Sequence, residues 1–113
     1  MSQKTYMISQ ERVNKFASLT GGEARIHTDP EYANNTSFGS TLVHGMFIVS
    51  LVEYEFSKRK PNWKGLLDIK FLKPIRTNEE FIIKFRNIND KKVNFSIILT
   101  KNKVEASSGY LYI

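Results

Sequence analysis

Cysteine is absent from this chain of 113 residues. That absence removes disulfides, zinc–thiolate sites, iron–sulfur clusters and cysteine nucleophiles together. Long apolar runs are missing too. The longest, Met46 to Val52, is broken by Ser50 and falls well short of the roughly 18 residues a membrane-spanning helix needs. The first residues, Met1 to Glu11, carry no apolar signal-peptide core, so a cytoplasmic protein is expected. The sequons at Asn34, Asn35 and Asn94 would then be idle. Proline (3) and glycine (6) are few and scattered, without a linker, repeat or low-complexity stretch. Acid is the scarcer charge, with 11 Asp+Glu against 17 Lys+Arg and a net charge of +6. Such a balance points to an acidic partner: nucleic acid, a phosphorylated cofactor or an acidic carrier protein. The length predicts a single domain, residues 1–113, with one core. A composition of 41% hydrophobic and 25% charged residues excludes wholesale disorder.

What is present divides into two halves by period. Ser9 is placed to cap a helix, with Glu11 in its first turn and Val13, Phe16 and Ala17 at helical spacing. Gly21-Gly22 ends that helix, and a loop is expected over Glu23 to Thr28. Thr28 or Asp29 can cap a second, short helix with Pro30 near its first position. Tyr32 and Ala33 are expected to face inward. Ser37 to Ser40 reads as a turn. From Gly45 a helix runs toward Phe56, apolar on nearly every side, the pattern of a buried helix. Ser57-Lys58-Arg59-Lys60-Pro61 ends it.

Beyond that point the period becomes two. Leu67, Ile69 and Phe71 alternate with other residues, as do Phe81, Ile83 and Phe85, then Val93 to Leu99, then Val104 to Tyr112. Asn89 to Lys92 and Lys101 to Lys103 suit hairpin turns, so neighbouring strands are antiparallel. An α+β fold follows, with the sheet wrapped around the apolar helix. Its exposed edge predicts a dimer.

The stretch Phe16 to Ala33, containing Thr20-Gly21-Gly22-Glu23-Ala24-Arg25-Ile26-His27, resembles the signature of MaoC-like dehydratases and (R)-specific enoyl-CoA hydratases. The resemblance continues through Thr36-Ser37-Phe38-Gly39 and Leu42-Val43-His44-Gly45-Met46. Phe71-Leu72-Lys73-Pro74 is similar to the family's F-x-x-P step into the sheet. It covers roughly residues 9–86, and the combination is far more specific than any one short motif. It implies a single hotdog fold, usually dimeric. The implied activity is syn hydration or dehydration of 2-enoyl or 3-hydroxyacyl thioesters carried on coenzyme A or an acyl carrier protein. No other cofactor is implied.

The family pattern reads T-G-D-x-N-P-I-H. His27 holds the His position, but Gly22 stands at the Asp position and Ala24 at the Asn position. In the family, Asp and His share the proton transfers. Here one of those roles is vacant, because glycine has no side chain to titrate. The resemblance makes His27 the acid/base, a task imidazole suits near neutral pH. It places the Gly45 backbone N–H in the oxyanion hole, at the start of the helix. Glu23, next in sequence, and Glu53, two turns into the helix, are candidates for a substitute acid.

Blander readings stand beside these. His27 alone would pass for a loop histidine. His44 suits packing at the helix start, Asp29 a cap, and Glu53 with Glu55 the polar side of the helix. His27 with Asp29 lacks a third metal ligand, so no metal is expected. Thr20 and Ser50 have no base beside them. The basic excess between Lys58 and Lys92 suits solvated strand faces, or the phosphates of coenzyme A or an acidic carrier protein. Neither a nucleic-acid motif nor a membrane segment is present. Two alternatives remain: a non-catalytic hotdog subunit of a heterodimer whose partner holds the Asp–His pair, and an acyl thioesterase.

Overall fold

In the computed structural model, which describes residues 4–113, the chain opens with β1 (Thr5–Tyr6) and then α1 (Gln10–Thr20). Two short helices follow, α2 (Arg25–Thr28) and α3 (Pro30–Asn34), and then the main helix α4 (Gly45–Ser57). The remaining elements are β2 (Leu66–Phe71), β3 (Phe81–Asn89), β4 (Lys92–Leu99) and β5 (Glu105–Tyr112).

Local chemistry sets the helix ends. The Ser9 hydroxyl accepts from the Arg12 N–H, and α1 stops at Gly21 in the left-handed region, φ 79°. Asp29 accepts from the Tyr32 N–H, and Pro30 supplies a preset φ at the start of α3. The expected loop over Glu23 to Thr28 is in fact one helical turn, α2. A single turn carries too few residues for a periodic signal. Ala33 is buried as expected, but Tyr32 is largely exposed. Its ring instead carries the Arg25 guanidinium, 4.5 Å from its centre.

The five strands form one antiparallel sheet in the order β1-β3-β4-β5-β2. The hairpin turn between β3 and β4 and the one after β4 fall where the turn residues sit, with Lys103 at φ 58°. β1 has only two residues and gives no alternation to read. Phe81, Ile83, Val93, Phe95, Ile97, Leu99 and Leu111 alternate onto one buried face. Ile48, Val52 and Phe56 of α4 join the same core, one residue per helical turn.

The main helix is therefore buried along one stripe rather than all round. Met46 and Tyr54 are more than half exposed. Its apolar far side faces outward in the single chain. On the sheet, the expected solvated lysines are seen at Lys70, Lys84 and Lys91, all exposed.

Candidate functional site

The first turn of α4 meets the α1–α2 connection, and both histidines lie at that junction. Gly21 turns the chain at the end of α1, and α2 then carries His27 back toward the segment leading into α4. The Leu42 N–H donates to the Ile26 carbonyl at 3.0 Å. Gln10 fixes the arrangement from α1, donating from Nε2 to the His27 carbonyl at 2.7 Å and accepting from the Thr41 hydroxyl at 2.5 Å. The Val43 N–H donates to the Ile75 carbonyl at 2.8 Å, which ties the start of α4 to the F-x-x-P segment.

His27 Nδ1 lies 2.8 Å from the Leu42 carbonyl oxygen. A carbonyl can only accept, so Nδ1 carries the proton, and in the neutral ring Nε2 holds the lone pair. Nε2 makes no hydrogen bond to the described residues and is not sealed from solvent. The imidazole is thus presented as a base with its tautomer set by the backbone.

His44 immediately precedes α4, and its ring stacks on that of His27 with centroids 3.9 Å apart and planes at 21°. Its Nε2 lies 2.6 Å from the Gly22 carbonyl oxygen, so that nitrogen is the donor. Its Nδ1 is buried without a partner among the described residues. Both nitrogens are therefore occupied or closed off, and His44 supports His27 rather than exchanging protons with a ligand. The Phe16 ring lies tilted against it, with centroids 4.9 Å apart.

Gly22 touches the site through its backbone. A Cβ there would stand 3.1 Å from His44 Cδ2 and 3.2 Å from its Nε2, close enough to make the ring yield slightly. Gly45 opens α4, where the first N–H groups of a helix have no acceptor within it and the dipole favours negative charge. The Phe71 ring lies over it, its Cζ 3.0 Å from where a Gly45 Cβ would be. Beside Gly45 opens a cavity of about 330 Å3 lined by Phe38, Val43, Ile48, Phe71, Ile75 and Ser107 among others.

His27 and Gly45 are thus brought to one junction, joined through His44. Glu23 and Glu53 are both exposed, and neither side chain bonds to His27. Thr20 and Ser50 spend their hydroxyls on the carbonyls of Phe16 and Phe47. Asp29 pairs with Arg25 at 3.3 Å, and burial does not offset the Tyr32 N–H bond that holds its carboxyl low. Among the described residues no group of three side chains is arranged for a metal ion. No described helix is long and apolar enough to cross a membrane. The His27–His44 stack and the cavity residue Ser107 carried no site signal in the sequence, whereas Phe71 opens the F-x-x-P segment. Adjacency of His44 to Gly45 was the one available hint.

The MaoC like domain family matches the chain over residues 1–109. The chain belongs to that family. A curated relative, 3-hydroxyacyl-thioester dehydratase Z of Mycobacterium tuberculosis, is 47% identical over 45 residues, which make up 40% of this chain and 30% of the relative. The matched stretch is thus under a third of that protein's length. Among solved structures, the (R)-hydratase of A. caviae involved in PHA biosynthesis superposes with a TM-score of 0.81 at 21% identity, covering 97% of this chain and 89% of that one. The HadBC (3R-hydroxyacyl-ACP dehydratase) complex of M. tuberculosis gives 0.75 at 12% identity, with 96% and 88% covered. These likenesses establish the hotdog fold: one antiparallel sheet with the α4 helix laid against its buried face.

Proposed function

We propose that this MaoC-like chain is a hydro-lyase that adds water to 2-enoyl thioesters and removes it from 3-hydroxyacyl thioesters, the acyl group carried on coenzyme A or an acyl carrier protein. The observation that carries this reading is His27 Nδ1 held 2.8 Å from the Leu42 carbonyl oxygen beside the N-terminus of α4, which leaves Nε2 for a ligand. In dehydration, His27 Nε2 takes the α-proton. The electron pair moves onto the thioester oxygen, which the Gly45 N–H stabilises. As the carbonyl re-forms, the β C–O bond breaks. His27 returns its proton to the leaving oxygen, which departs as water. Both transfers lie on one face, so one imidazole serves for both and elimination is syn. Glu23 and Glu53 are assigned no step.

The chain works as a dimer in this reading. β2 is an edge strand, and Met46, Leu66, Phe71 and Leu72 are exposed apolar residues. Gly22 favours a second version, in which a different hotdog chain completes the pair and supplies the missing carboxylate.

The test uses the purified chain with a short 2-enoyl thioester, following both hydration and free thiol. Hydration by the chain alone supports the reading. Hydration only after a second hotdog protein is added favours the heterodimer. Free thiol without hydroxyacyl thioester would show a thioesterase and overturn both.

A further inference from the structure

The cavity beside Gly45 contains a polar group that the proposed mechanism does not use. Ser107 on β5 is 1% exposed, and its Oγ has no hydrogen-bond partner among the described residues. Buried polar groups in native proteins are almost always paired, and an exception calls for a reason. Packing alone supplies none, because its ladder neighbour on β4, Ile97, is a fully buried aliphatic residue. A valine would fill the position without an orphaned oxygen. The apolar side chains that line the cavity around it, Val43, Ile48, Phe71 and Ile75, offer the hydroxyl no hydrogen bond.

On the other side, Ser107 pairs with Phe71 of β2. Paired residues share a face of the sheet, so the Phe71 ring stands beside the hydroxyl and reaches across to Gly45. Phe71 is 53% exposed in the single chain, on the edge strand where the dimer is proposed to form, so about half of its ring surface is uncovered within the chain. Turning it uncovers Gly45 and Ser107 together.

We propose that Ser107 makes this cavity an acyl subsite selective for a chain bearing an oxygen beyond its third carbon. The inference rests on the thioester reading of the site. With the carbonyl oxygen at the Gly45 N–H and carbons two and three at His27, the rest of the chain enters the cavity and displaces the Phe71 ring. A hydroxyl on that part of the chain pairs with Ser107 Oγ. A plain alkyl chain leaves the Ser107 hydroxyl unpaired, and sites built around a hydrogen bond discriminate strongly against such analogues. At about 330 Å3 the cavity is at the small end of the ligand pockets, about 300–1,000 Å3, so the chain is short.

The experiment compares trans-2-hexenoyl pantetheine with its derivatives hydroxylated on carbon four, five or six. Dissociation constants and hydration rates are measured for wild type, Ser107→Ala and Ser107→Cys. Wild type is expected to favour one hydroxylated chain by about tenfold or more, in affinity and in kcat/KM. Both variants should lose that preference while keeping their Tm. A preference that is absent, or unchanged in Ser107→Ala, overturns the proposal even if every chain is hydrated. Selective binding that Ser107→Ala abolishes, with no hydration of any chain, upholds the subsite and sinks the hydro-lyase reading instead.

Discussion

The two ends of α4 differ in how completely their polar groups are satisfied. At the C-terminal end, Glu55 receives Lys4 at 3.3 Å and Lys58 at 3.2 Å, and the Tyr6 hydroxyl also bonds to it. Phe56 packs against Trp63 and Phe85, and the Trp63 indole N–H donates to the Tyr112 carbonyl at 3.0 Å. At the N-terminal end, His27 Nε2 is unbonded, and His44 Nδ1 and Ser107 Oγ are buried without partners. One end has these polar groups paired and holds the helix in place, although a cavity lined by Phe56, Arg59 and Asn87 also opens there. The other keeps unspent hydrogen-bonding capacity beside a cavity, which is where a ligand has something to gain.

Changes at the closed end should alter stability without altering chemistry. The largest effect is expected from Phe56→Ala, which empties a 2% exposed ring site and should cost about 3–5 kcal/mol in denaturant unfolding. The kcat per folded molecule should be unchanged. At the open end the pattern reverses. Gly45→Ala puts a methyl against the Phe71 ring and should lower kcat/KM by about tenfold, with Tm nearly constant. His44→Ala removes the stack on His27 and the bond to Gly22, and kcat should fall by about tenfold. His44→Phe, which keeps a ring against His27, should recover part of the loss.

The smallest effects are in pH dependence, again at the closed end. Burial pushes the Glu55 carboxyl up, but hydrogen bonds from Tyr6, Lys58 and Lys4 outweigh it and hold the group below the usual carboxylate range. Its contribution is present above the ordinary carboxylate pKa and is lost as pH falls through the lowered value. Burial, then the bond to Glu55, pushes the Tyr6 phenol well above its usual range. That contribution is present below about pH 10 and is lost as pH rises toward the raised value. Tm should therefore fall at both extremes. Glu55→Gln should flatten the acid limb and Tyr6→Phe the alkaline one, both leaving hydration near neutral pH unchanged.

The contrast also explains what the sequence made legible. The strands β2 to β5 and the start of α4 could be placed because alternation and a helix-initiating glycine are local signals. The Ser9 and Asp29 caps were readable for the same reason. β1 and α2 are too short to show a period. Tyr32 was misplaced because a cation at Arg25 could hold its ring outside. The His27–His44 stack joins residues 17 positions apart in the chain, and only the folding of α2 against the α4 lead-in creates it. Ser107 lies next to the register shift at Ile97/Ile98. Ala106 and Ser107 are both buried there, so simple alternation does not say which way the hydroxyl faces. The vacancy at Gly22 was plain in the sequence, but the hydrogen bond that His44 Nε2 donates to the Gly22 carbonyl was not.

The central claim is that one imidazole, His27, carries both proton transfers. Its most direct test is the rate of hydration of a short 2-enoyl thioester by wild type and by His27→Ala, each purified alone and matched for folded fraction. A fall of about a hundredfold or more in kcat is expected, with dissociation of the thioester little changed. Equal rates in the two proteins would contradict the claim.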